Sequence, residues 1–253
     1  MTHKLTTSPL SGRLRKPGVS CAAVILAFSG AVMAGEPVAL QNGDSYKGTT
    51  DTYLYESSAK GNYGKVNVIS VGRLIAADGG AREMKALLRF DLSVLAGQKA
   101  AGPAALDLVQ VNTDRDKNGS RAFRFGVYEV SAENADWVEG IGAEEEATEG
   151  EPSWDRKSAP STKWAGKPGL ALSGMDFDPT PVAEVDFKES DGDNHVVQIQ
   201  IPAALIQKWI DHPELNGGLL FAWESGDDYL GQFRSSEFGD ATKRPVLQVD
   251  VKP

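Results

Sequence analysis

The stretch Met84-Lys85-Ala86-Leu87-Leu88-Arg89-Phe90-Asp91-Leu92 alternates with a period of two. Met84, Ala86, Leu88, Phe90 and Leu92 share one side, and Lys85, Arg89 and Asp91 lie on the other. Successive side chains of an extended chain point to opposite faces, so this pattern predicts a half-buried strand. Similar runs recur almost to the last residue. They predict strands at 52–56, 66–71, 84–92, 105–111, 123–130, 182–188, 195–201, 218–224, 229–234 and 245–251, bounded by Gly, Asn, Asp or Ser. Ten short strands in one chain predict an all-β sandwich.

One helix stands out. Pro202 suits a first turn, and Leu205, Ile206, Trp209 and Ile210 fall on one side of a helix that ends at Asp211-His212-Pro213. This short helix is expected to cap one end of the sandwich. After it, Asn216-Gly217-Gly218 turns the chain into Leu219-Leu220-Phe221-Ala222-Trp223, a strand expected to be buried on both sides. Two segments lack the pattern. Residues 35–50 read as a flexible lead-in, and residues 140–163, with Glu144, Glu145, Glu146, Glu149 and Glu151 among Gly, Ala, Thr and Pro, read as an exposed acidic loop.

The N-terminal residues carry Lys4, Arg13, Arg15 and Lys16 and no carboxylate, and an apolar run follows from position 19 to 34. This reads as a secretory signal peptide, residues 1–34, cleaved after Ala34 with Val32 and Ala34 as the small residues of the cleavage site. No other segment approaches the ~18 apolar residues of a membrane span. Cys21, the one cysteine, lies inside the leader, so the exported domain is expected to hold no disulfide. Loss of the four leader cations takes the formal charge from -9 to -13, since -9 minus 4 is -13. Such a balance argues against nucleic acid or an anionic membrane as partner. It leaves room for an anionic polymer met by a local basic patch.

A set of landmarks keeps a recognisable order: Asp51-Thr52-Tyr53-Leu54-Tyr55, Asn62-Tyr63-Gly64, Leu87-Leu88-Arg89-Phe90-Asp91-Leu92-Ser93, Trp137-Val138-Glu139-Gly140, Ser153-Trp154, Pro160, Trp164, Trp209, Asn216-Gly217-Gly218-Leu219-Leu220-Phe221, Phe233-Arg234-Ser235-Ser236-Glu237 and Arg244-Pro245-Val246-Leu247. Together they resemble the DNRLRE domain family, also classed as carbohydrate-binding module family 96, over residues 51 to about 251. The resemblance implies a jelly-roll β-sandwich over residues 51–253, an extracellular or periplasmic setting, and non-catalytic binding of a polysaccharide such as alginate. The acidic stretch between Trp137 and Trp154 departs from that pattern as an apparent insertion, and no catalytic domain accompanies the module.

Proteins that bind sugars stack the apolar face of a pyranose on aromatic rings and hold its polar rim with Arg, Lys, Asn and Asp. Lys60-Gly61-Asn62-Tyr63-Gly64-Lys65 supplies such a set without a carboxylate, and Arg73 ends the strand that follows. Lys60, Asn62, Tyr63, Lys65 and Arg73 are therefore the candidate ligand residues, with Tyr63 stacking a ring and the cations meeting carboxylates. The competing reading makes Asn62 and the glycines shapers of a turn and packs Tyr63 on the sandwich edge. Arg89, Arg234 and Glu237 suggest a second polar group, read as structural pairing. At least four of the five tryptophans are expected in the core.

Asp114, Asp116 and Asn118, ahead of Gly119, match the first half of a calcium loop and are the candidate ligands of a structural calcium. The twelfth position is Phe125, so the loop is not an EF-hand, and Asn118-Gly119 between two apolar strands favours a plain hairpin turn over a calcium loop. Residues 191–194 and Asp227-Asp228 are alternative carboxylate groups for the same ion. His195 and His212 lack metal-ligand spacing, and the chain has no Gly-x-Ser-x-Gly elbow. A lyase or hydrolase ranks below a binding module and below a structural or adhesive surface protein.

Overall fold

The protein is described from a computed structural model, which covers residues 37–111 and 120–253. Thirteen strands are present among these residues: β1 (Val38–Gln41), β2 (Thr49–Tyr55), β3 (Val68–Ile75), β4 (Ala81–Phe90), β5 (Lys99–Ala100), β6 (Ala104–Val111), β7 (Ala122–Glu129), β8 (Ala183–Lys188), β9 (Val196–Ile201), β10 (Leu219–Gly226), β11 (Leu230–Arg234), β12 (Val246–Val249) and β13 (Val251–Lys252). One α-helix, α1 (Ala203–Asp211), accompanies them. The prediction of an all-β sandwich with one short helix holds.

All named strand pairs are antiparallel, and the chain order is crossed, with β1-β12-β6-β11-β3-β4-β10-β7-β8 as the main path. β2 runs along one edge of β4, from Thr49↔Phe90 to Tyr55↔Met84. The opposite edge forks: Gly72–Ile75 take Met84 to Ala81, and Leu219 to Phe221 take Leu88 to Ala86. A second fork lies at β6, which pairs with β12, β9 and β11. These forks wrap the network around one core that includes Val71, Leu88, Leu106, Phe125, Ile201, Phe221, Phe233 and Leu247. Ile206, Trp209 and Ile210 of α1 join that core, and the Pro202 carbonyl accepts the N–H groups of Leu205 and Ile206 at the helix start.

Two expectations are corrected. The lead-in is not loose along its whole length, because Val38–Gln41 pairs with Val246–Val249 and Leu40 is buried. Residues 140–163 are not simply an exposed loop. Glu144, Glu145 and Glu146 do face solvent, but residues 151–154 are buried. Trp137, Trp154, Trp164 and Leu170 pack with Leu54, Leu87 and Leu220 in a second apolar cluster. Leu54, Leu87 and Leu220 alternate with core residues on β2, β4 and β10, so this cluster covers the outer face of the sheet. β4 is consequently buried on both faces rather than on one, with Leu87 fully buried and Lys85 at 6 % exposure.

Side-chain to backbone hydrogen bonds hold this irregular layer where no ladder does. Buried Asp176 accepts from the N–H groups of Gly166 (2.7 Å), Lys167 (2.9 Å) and Leu172 (2.9 Å), and from Asn134 Nδ2 (3.1 Å). Glu151 accepts from Ile141 N–H and Thr148 N–H. Burial alone would raise its carboxyl, but these N–H donors outweigh burial and hold it below the usual range. Trp137 Nε1 donates to Gly217 O and Trp164 Nε1 to Ser153 O. Lys85 Nζ donates to Gly169 O at 3.1 Å and pairs with Glu83, which satisfies its buried charge.

Candidate functional site

The predicted ligand loop is zipped to the acidic stretch. Asn62 N–H donates to Glu145 O, Lys65 N–H to Gly142 O, Glu144 N–H to Asn62 O and Ala147 N–H to Lys60 O. Asn62 is 1 % exposed, and its side chain works entirely on backbone: Nδ2 donates to Glu139 O and Pro152 O, while Oδ1 accepts from Gly64 N–H and Gly142 N–H. Gly64 passes so close that a Cβ there would lie 2.4 Å from Glu139 O. Asn62 is therefore corrected from ligand residue to strut.

Tyr63 is corrected likewise. Its ring is 5 % exposed and stacks on Tyr53 at 4.2 Å between centroids, so it belongs to the core and presents no face to a sugar. The turn-shaping reading describes both residues. Lys65 keeps an exposed stem, but its ammonium lies 2.9 Å from Glu139 Oε2 and 2.9 Å from Glu237 Oε1.

A charge cluster built around buried Asp51, with Glu139 and Glu237 partly exposed, is formed here and was missed in the sequence. One carboxylate oxygen from each of Asp51, Glu139 and Glu237 lies within 4.8 Å of the others. Asp51 accepts Ser236 N–H at 2.7 Å and donates its own N–H to Glu139 Oε1. Burial, reinforced by Glu237 and Glu139, pushes the Asp51 carboxyl well above the usual range. Burial also raises Glu139, against the opposing N–H of Asp51 and charge of Lys65. For Lys65, burial acts downward, yet the bonds to Glu139 and Glu237 outweigh it and hold its pKa up. A cation joining Glu139 to Glu237 is thus already supplied by the chain itself. The sequence signal for the cluster is that its members fall in or beside four separate landmarks, at Asp51, Lys65, Glu139 and Glu237.

Lys60 remains available, being exposed and held by one exposed partner, Glu146, at 3.5 Å. It lines a pocket of about 260 Å³ with Glu146, Ser153, Asp155, Arg156 and Pro160. That volume is below the roughly 300–1,000 Å³ of drug-sized sites, so the pocket fits a small unit. Arg156 is anchored by donating to Pro160 O and Asp155 O and makes no ion pair among the described residues. From this wall the chain continues through Lys157 and Lys163 to Lys167, four cations over residues 156–167 without a carboxylate. Lys163 and Lys167 are exposed and have no ion-pair partner among the described residues.

Arg73 does not line this pocket. Its guanidinium stacks on the half-buried Trp223 at 3.5 Å and pairs with Asp228. A larger open cleft, about 770 Å³, includes Arg89, Lys157, Asp91, Glu133, Asp136 and Glu214 in its lining. Arg89 is committed to the carbonyls of Ala135 and Trp137, and Lys157 lies 2.6 Å from Asp136, so carboxylates dominate that cleft and disfavour a polyanion. Arg234 pairs with Asp193 and Glu237 with Lys65; with Arg89 bonded to carbonyls, the three act in separate networks.

Asp114, Asp116 and Asn118 lie outside the described residues. In the alternative calcium groups the carboxylates have protein partners: Asp191 lies near His195, Asp193 meets Arg234, Asp227 accepts Ala122 N–H and Asp228 meets Arg73. Trp137, Trp154, Trp164 and Trp209 are buried, as expected for four of the five. Among the described residues no helix is long and apolar enough to cross a membrane. No family model and no curated protein matches the chain.

Proposed function

We propose that this protein is a secreted, non-catalytic module that binds an extracellular polysaccharide, a uronic acid polymer such as alginate, on the surface running from Lys60 and Arg156 to Lys163 and Lys167. The supporting observation is the carboxylate-free basic run beside a pocket, in a chain of net charge -9. The landmark order of the resemblance supports the same reading.

Exposed ion pairs contribute about 0–1 kcal/mol each. A single uronate is therefore held weakly, and affinity arises when a repeating polymer engages the pocket and the lysines together. Lys60 exchanges its loose Glu146 contact for a ligand carboxylate, while Arg156 and Ser153 meet hydroxyls or carboxylate oxygens at the pocket floor. Neutral glucan lacks the charge to do this, and salt should weaken retention.

The test is affinity electrophoresis of residues 35–253 through gels containing alginate, pectin, xylan or glucan, with calcium or with chelator. Retardation by the uronic acid polymers, reduced at least threefold by Lys60→Ala with Lys163→Ala, is expected. No retardation in any gel overturns the reading in favour of a structural or adhesive role, and release of unsaturated sugar overturns its non-catalytic part. Loss of retardation with chelator would assign a structural calcium.

A further inference from the structure

The charge cluster at Asp51 ties together four chain segments: β2 through Asp51, the 60–65 loop through Lys65, the irregular layer through Glu139, and the turn after β11 through Ser236 and Glu237. These are the charged groups that face one another there, three carboxylates against one ammonium. Asp51 is 1 % exposed, so water screens its own charge poorly, while Glu139, Glu237 and Lys65 keep partial contact with solvent. One bound proton removes the largest repulsion without breaking any of the hydrogen bonds from Ser236, Asp51 or Lys65.

We propose that this cluster is a proton-dependent latch: with one proton held among Asp51, Glu139 and Glu237 it fixes the 60–65 loop against residues 139–147, and loss of that proton loosens the wall of the Lys60 pocket. The connection is direct. Glu139 meets Lys65 through its side chain and Asn62 through its carbonyl, and the strip zipped to that loop carries Glu146 and Ala147 of the pocket lining. The effect on binding rests on the polysaccharide reading; the latch itself does not.

The sign follows from the raised carboxyls of Asp51 and Glu139. They hold a proton in the fold at pH values where the unfolded chain has released it, so the stabilisation is full in acid and is lost as pH rises through the folded values. Lys65, also raised, loses its charge later and in the same direction.

The experiment follows the melting temperature of the wild-type domain, Asp51→Asn and Glu237→Gln between about pH 5 and pH 9, above the usual carboxylate range. The wild type should lose about 3 °C or more across that window. Asp51→Asn, which can still accept Ser236 N–H, should flatten the profile. Glu237→Gln, at a partly exposed position, should flatten it too if Asp51→Asn fails to fold. Variant profiles that run parallel to the wild type overturn the latch. The same samples, run at both pH extremes in alginate gels, should show wild-type retardation falling at high pH and Asp51→Asn retaining it. A wild type unretarded at any pH refutes the polysaccharide reading alone, because the melting profiles still decide the latch.

Discussion

The two faces of the sheet around β4 are covered in different ways. The inner face is packed by other strands, whose apolar residues recur every second position, as Ala104, Leu106 and Leu108 do on β6. The outer face is covered by residues 131–181, where Trp137, Trp154 and Trp164 follow no period and Asp176 and Glu151 collect backbone N–H groups. Ala104, Leu106 and Leu108 are fully buried, and Trp137, Trp154, Trp164 and Leu170 are buried too, while Val138, Ile141 and Met175 of the outer covering stay exposed. The difference teaches that a face can be closed by a few large side chains and carboxylate hubs as effectively as by a ladder, at positions that no periodicity announces.

The largest effect should come from removing an anchor of the irregular layer. Trp137→Ala deletes a fully buried indole and its bond to Gly217 O, and should cost about 3–5 kcal/mol in urea unfolding, as much as Phe125→Ala inside the sandwich. A cost below about 1 kcal/mol would mark the layer as a surface loop and break the equivalence of the two faces.

Glu151 sharpens the contrast between the layer and the Asp51 cluster. Its carboxyl is held low, so its stabilisation is present above the unfolded value of about 4.3 and is lost as pH falls through the folded value. Glu151→Gln should cost about 1.5–3 kcal/mol at neutral pH and much less in acid, checked by denaturant midpoints at both. Asp51→Asn should show the opposite trend. The smallest effect is expected from Tyr63→Phe. The ring stays in place against Tyr53, so stability should change by about 1 kcal/mol or less and retardation by alginate should not change. Weakened retardation in a folded Tyr63→Phe would return that residue to the ligand site.

The strands were legible because each carries its own period, and β4 and β10 lie within a few residues of their expected bounds. β1 was not legible, since it buries one residue fully, Leu40, and its partner β12 lies some 200 residues away in the chain. Leu87 was the overlooked clue to the outer layer: an apolar residue on the supposedly wet face of β4 needs a cover. For the site, Lys60 keeps its expected exposure, whereas Asn62, Tyr63 and Lys65 are taken up by partners at residues 139–152, Tyr53 and Glu237. A single loop read by itself does not show which distant segment will use its polar groups.

The most direct measurement of the central claim, that the irregular layer is a folded wall and not a loop, is hydrogen exchange at neutral pH. The N–H groups of Gly166, Lys167 and Leu172, bonded to Asp176, should exchange at least a hundredfold more slowly than open chain, with protection approaching that of β4 and β10. Exchange at the open-chain rate while β4 and β10 stay protected would contradict the account.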